Sequence, residues 1–368
     1  VTSLVGIGLL AATSLALRPE HSTERGTAPP PIRHVFLLML ENESFDRTFG
    51  PKSQAPYLAR SLPSTGALLR SYYAIGHESL DNYVALVSGQ APNEATQRDC
   101  GRYTEFRLAQ PSLDAHGQAI GTGCVYPTMV QTIGDQLEAK DLTWRGYMQD
   151  LGNDPRRESA VCGHPRIGEG DHTQQGERSD QYATKHNPFY YFHAIIDDQA
   201  RCAAHVVNLD QLPHDLATAA STPNYVFITP NLCNDGHDAP CVDRAVGGLR
   251  EADKFLQQWV PVITNAPAFM ADGVLIITFD EGLDSKACCG EQRLPGQSHP
   301  PGYNGPGGGR IGAVVLSPFI TPGTTSDVPY NHYSLLRWVE DVFGLEHLGY
   351  AADSGLQTFG SDVFTGVR

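Results

Sequence analysis

Three stretches of the chain place oxygen- and nitrogen-bearing side chains directly after apolar runs. Glu41-Asn42 follows HVFLLML (34–40), Asp280-Glu281 follows GVLIITF (273–279), and Asp235-Gly236-His237-Asp238 comes shortly after NYVFIT (224–229). Carboxylate and amide oxygens are the ligands that hard divalent cations take. Two adjacent carboxylates at the end of an apolar strand repel each other unless a cation lies between them. Glu41, Asn42, Asp280 and Glu281 are therefore candidate metal ligands. Any one cluster alone reads equally well as a helix cap or a solvated turn; three together do not. Asn42-Glu43-Ser44 is also a glycosylation sequon, but one so close behind a buried strand is a poor acceptor.

A serine with a metal nearby completes a second kind of chemistry. His77-Glu78-Ser79-Leu80-Asp81-Asn82-Tyr83 leads into a short apolar helix. A serine at a helix start has its hydroxyl beside unsatisfied backbone N–H groups, which also suit a phosphate oxygen. As an N-cap it would be unremarkable; next to a cation its hydroxyl becomes a nucleophile. No G-x-S-x-G elbow offers a rival serine, and His77-Glu78 is not a zincin motif because position 81 is Asp. Phosphoryl transfer to Ser79 also needs positive charge on the phosphate oxygens and a proton for the leaving oxygen. His186 and His237 are the leading candidates, with His77, Asn82, Asp238 and His332 as additional ones.

These residues need a scaffold that brings distant strand ends together. The continuous apolar runs at 34–40, 224–229, 273–279 and 311–316 read as strands buried on both faces. Helical patterns lie at 82–87, 129–140, 247–263 and 333–343. The alternation predicts an α/β fold, a mostly parallel central sheet with helices on both faces, whose ligands bind at the carboxyl ends of the strands. The stretch 91–200, rich in Gly, Asp, Arg and Gln, reads as an irregular cap-like excursion within a single domain spanning 32–368. Residues 1–17 read as a truncated signal peptide and 18–31 as a proline-rich linker. Eight cysteines, an even number, agree with a secreted or periplasmic protein. Cys233 with Cys241 is the pairing that short loop closure favours; Cys162 with Cys202 and Cys100 with Cys124 are looser expectations, and Cys288-Cys289 pair with each other or elsewhere.

Composition excludes some partners. With 26 basic and 41 acidic residues the net charge is −15, and no Lys/Arg run is present, so no nucleic-acid partner is expected. The one long apolar segment, 2–17, is too short to span a bilayer comfortably, so no stable membrane insertion is expected.

ENESFDRTFG after an apolar strand, PN-x-C-x-D-x-HD, the ITFDEG strand end and NHYSLLRWVED together resemble the phosphoesterase family of phospholipases C and acid phosphatases within the alkaline-phosphatase superfamily. The resemblance implies an alkaline-phosphatase-like fold. It also implies that Glu41, Asn42, Asp280 and Glu281 bind a divalent metal ion together with Ser79, and that His186 and His237 contact phosphate. HESLDNY looks like the shorter phosphatase-type members, and the long C-terminal extensions of the phospholipases are missing. The expectation is a phosphomonoesterase acting on a small phosphate ester through a phosphoserine intermediate. A phospholipase C or phosphodiesterase, and a catalytically inert secreted binding protein, are the alternatives. A sulfatase is disfavoured because the C/S-x-P-x-R motif is absent.

Overall fold

The computed structural model describes residues 1–2 and 30–366; most of the expected signal peptide and most of the linker lie outside the described residues. Eight strands form the central sheet: β1 (His34–Leu40), β2 (Ala67–Leu69), β3 (Trp144–Met148), β4 (Val206–Asn208), β5 (Tyr225–Thr229), β6 (Gly273–Phe279), β7 (Ala313–Leu316) and β8 (Thr324–Ser326). Their order across the sheet is β8-β2-β7-β6-β1-β5-β3-β4. All seven residues of β1 and all seven of β6 are buried, as expected of strands covered on both faces. Five neighbouring pairs are parallel and two are antiparallel, both involving β7. The sheet is mostly parallel, as the alternation of elements predicts.

Four helices matter for the site: α1 (Ser79–Ser88), α2 (Ile133–Glu138), α3 (Leu249–Thr264) and α4 (His332–Phe343). All ten residues of α1 are buried, and it ends on Gly89 in the left-handed conformation, the usual glycine stop. In α3, Leu249, Ala252, Phe255, Leu256, Trp259, Val260 and Ile263 are buried, an i, i+3, i+4 stripe that packs inward. Asn331 caps α4, its side-chain oxygen accepting the Ser334 N–H at 2.9 Å.

The excursion expected over 91–200 is not wholly outside the sheet. Trp144–Met148 runs as β3 between β5 and β4. Its sequence, WRGYM, lacks the long aliphatic run of the other central strands and so escapes a hydropathy reading. The helical pattern at 129–140 is shorter in the fold, confined to α2. All four cysteine pairs form: Cys100–Cys124, Cys162–Cys202, Cys233–Cys241 and the adjacent Cys288–Cys289.

Candidate active site at the carboxyl edge of the sheet

Register explains why the acidic clusters meet. In the parallel pair β1/β6, Leu40 lies opposite Phe279, so the next residues, Glu41 and Asp280, leave the sheet side by side. The Asp280 N–H donates to the Leu40 carbonyl at 2.9 Å, and the Glu41 N–H donates to the Asp235 carbonyl at 2.9 Å. The loop after β5 is thereby tied to the same edge. Glu41, Asp235 and Asp280 are all fully buried, at 0% exposure.

Ser79 opens α1 directly above them. Its hydroxyl donates to Glu41 Oε2 at 2.8 Å, while the Tyr83 hydroxyl, one turn further along α1, donates to Glu41 Oε1. The residue before it, Glu78, has φ 93°, a strained backbone for a residue with a side chain. Two bonds hold that strain: the Glu78 N–H donates to Glu281 Oε2 at 2.7 Å, and Asn82 Nδ2 donates to the Glu78 carbonyl at 3.2 Å. Asn42 is likewise held at φ 59°, its N–H donating to Asp280 Oδ1 at 2.9 Å.

His186 sits between two of the carboxylates. Its Nε2 is 3.3 Å from Glu41 Oε2 and its Nδ1 is 3.3 Å from Asp235 Oδ2. Neither contact is aligned as a hydrogen bond for His186 Nε2 or Asp235 Oδ2, and Asp280 Oδ2 is also buried without a partner. The ring stacks on Tyr83, with centroids 5.5 Å apart. Burial, helped by the charges of Lys185 and His237, pushes the His186 imidazole well below its ordinary range, so it is neutral. Burial likewise raises Glu41, to which Asp280 and Asp235 add like charge. It carries Asp235 to about 8 and raises Asp280 as well.

Three buried carboxylates, of which Asp235 and Asp280 each keep an orphaned oxygen, lie beside a neutral imidazole with an unmatched Nε2, a set of ligand atoms rather than a self-satisfied network. A divalent cation fits it: Glu41, His186 and Asp235 offer ligand atoms within 4.8 Å of one another, and mixed O/N sets suit several such ions. Asp235, which was not among the expected metal ligands, joins this group. Glu281 Oε2 lies 3.0 Å from His77 Nδ1, and His77 Nε2 is 2.9 Å from the Asp284 carbonyl.

The other expected residues fall into two groups. His237 remains at the site: burial opposes its charge, but Asp238, 2.8 Å from its Nδ1, and Asp235 outweigh that and raise its pKa. Asn82 and His332 shape the backbone. Asn82 Oδ1 accepts the N–H groups of Ile75 and Gly76 at 2.9 and 3.0 Å. His332 donates from Nε2 to the Asp280 carbonyl at 2.7 Å and accepts at Nδ1 from the Tyr72 hydroxyl at 3.2 Å.

Sequence reading passed over Lys185 and Asp99. The buried Lys185 Nζ lies 2.8 Å from Asp99 Oδ2, and Asp99 Oδ1 accepts the Leu80 N–H at 2.9 Å. The pair ties the turn carrying His186 to the first turn of α1. Nothing in the local sequence links positions 86 residues apart; the available signal was a lysine inside the otherwise buried TKHNPF segment.

This geometry has relatives. The Phosphoesterase family matches residues 52–346, and the chain belongs to that family. Glu41 and Asn42 precede the matched span, so the fold rather than the match brings them to the site. An acid phosphatase of Aspergillus fumigatus is 26% identical over 94% of this chain and 62% of its own length. A phosphatidylinositol-3-phosphatase of Mycobacterium tuberculosis is 24% identical over 96% of this chain and 91% of its own. The chain thus spans about three-fifths of the fungal relative's length. A solved chain from a glycosaminoglycan-metabolism locus of Bacteroides thetaiotaomicron shares the fold, with TM-score 0.50, 11% identity, and coverage of 92% of this chain and 83% of that one. Among the described residues, no helix is long and apolar enough to cross a membrane.

Proposed function

We propose that this chain is a phosphomonoesterase with Ser79 as nucleophile. The observation that carries the reading is the Ser79 hydroxyl, at the head of a buried helix, hydrogen-bonded to Glu41 among three buried carboxylates. Membership of the phosphoesterase family and the acid-phosphatase name of the fungal relative support it. In the reaction, Ser79 Oγ forms a bond to phosphorus, the bond from phosphorus to the alcohol oxygen breaks, and water later cleaves the phosphoserine. Glu41 Oε2 already accepts a hydrogen bond from the Ser79 hydroxyl, which points the Ser79 proton at it. His237, at the edge of the site with a raised pKa, donates a proton to the leaving oxygen. A divalent cation held by Glu41, Asp235, Asp280 and His186, with Asn42 and Ser79 beside it, would supply Lewis-acid polarisation of the phosphate. The eight paired cysteines support maturation in an oxidising compartment, hence export.

The test compares release of nitrophenol from nitrophenyl phosphate and bis-nitrophenyl phosphate, in wild type and Ser79→Ala, with and without chelator. Monoester turnover should fall on the order of 10⁴-fold or more in Ser79→Ala, with the melting temperature unchanged. Acid quench should trap phosphate on Ser79. A preference for the diester would point to a phosphodiesterase. Near-normal turnover by Ser79→Ala would discard the nucleophile, and inertness towards both esters would favour the binding-protein alternative.

A further inference from the structure

A cleft of roughly 630 Å³ opens beside the carboxylate cluster, with Asn42, Gly236 and His237 in its lining. Such a volume lies within the range of small-molecule sites. Asn42 and Gly236, which line it, directly adjoin the carboxylates Glu41 and Asp235, so in the reading above, on which this inference rests, the alcohol half of a phosphate ester held at the cluster faces this space. The outer wall carries Asp46, Arg47, Lys52 and Gln54, and Val246 and Leu283 line the cleft as well.

The lining discriminates among alcohols. A second anionic group is poorly served: the Arg47 guanidinium is already paired with Glu43 at 3.2 Å, and the charge of Asp46 offsets that of Lys52, so the lining carries no net positive charge. An apolar alcohol would strip water from four polar side chains and return no hydrogen bonds, which is costly. An alcohol bearing several hydroxyls suits both kinds of partner, since each hydroxyl donates to carboxylates and accepts from guanidinium, ammonium and amide groups. Val246 and Leu283, 54% and 59% exposed, offer apolar contact to the C–H faces of such a molecule. We infer that this cleft is the leaving-group subsite and that the substrates are phosphate monoesters of sugars or comparable polyols.

Full-length wild type, Val246→Trp, Leu283→Trp and the double variant Lys52→Ala/Gln54→Ala would be assayed on a hexose phosphate, ethyl phosphate and naphthyl phosphate. The tryptophans fill the cleft, and the double variant removes hydrogen-bonding groups at exposed positions where folding is not at stake. We expect kcat/KM for the hexose phosphate to fall at least about tenfold in each. Turnover of ethyl phosphate and inhibition by inorganic phosphate should not change. Equal losses on hexose and ethyl phosphates, or no loss on either, would overturn the subsite. A selective loss on naphthyl phosphate alone would overturn the polyol assignment. A wild-type chain inert to ethyl phosphate would overturn the phosphomonoesterase reading first, which separates the two failures.

Discussion

Two buried histidines serve this edge of the sheet and do opposite things. His332 has a partner on each ring nitrogen, a carbonyl on one and a tyrosine hydroxyl on the other. His186 lies between two carboxylates with Nε2 unsatisfied. Burial depresses both, His332 to about 4. The difference lies in the surroundings. Around His332 the neighbouring groups are paired as well: Asn331 caps α4 and donates to Glu291 at 2.9 Å. Beside His186 the Asp235 Oδ2 is orphaned as well, 3.3 Å from its Nδ1. A region whose buried polar atoms are all matched is scaffold; one whose atoms converge unmatched is built for something that binds there.

That contrast is open to direct attack. The largest effect beyond Ser79 is expected at the unmatched cluster: His186→Ala or Asp235→Asn should weaken metal retention on the order of 100-fold or more, with activity falling in parallel. Metal analysis after dialysis reads this directly, and full occupancy in the Asp235→Asn, Asp280→Asn double variant would remove the metal assignment. Next comes the Lys185–Asp99 pair. Lys185→Met strands a buried carboxylate and should cost about 3 kcal/mol in denaturant unfolding. Adding Asp99→Asn should return much of it; if the double variant is no better than the single one, the ion pair is not what joins the two elements.

His332→Phe tests the scaffold side. It leaves the Asp280 carbonyl and the Tyr72 hydroxyl unmatched and should cost about 1–3 kcal/mol, while metal content stays at the wild-type level. Loss of metal without loss of stability would erase the contrast between the two histidines. The smallest effect concerns Glu340 in α4, remote from the chemistry. It is fully buried, with one oxygen accepting the Leu348 N–H and the other unmatched, and burial pushes its pKa up to about 9. The folded state therefore holds a proton that the unfolded state releases above its ordinary value of 4.5. Stability from this group is complete below that value and is lost as pH rises towards about 9. Glu340→Gln should match wild type at low pH and exceed it at pH values near the top of that window, as thermal melts would show.

The strands that carry Glu41 and Asp280 were legible because seven consecutive buried residues leave an unbroken apolar run, which marks a strand covered on both faces. The position of Ser79 at a helix start was legible because helix starts have their own residue chemistry, and the Cys233–Cys241 bridge because its loop is short. What the linear chain could not decide was which acidic side chain points where. Glu281 adjoins Asp280, but successive residues leaving a strand diverge, and it meets His77 and the Glu78 N–H. Asp235 stands beside Glu41 because its backbone carbonyl docks on the Glu41 N–H. Likewise Lys185 and Asp99, and β3 within the supposed excursion, owe their roles to neighbours far away in the chain. Periodicity and local chemistry are properties of a segment and can be read from it. The pairing of buried charges is a property of the packed edge, and only the tertiary structure settled it.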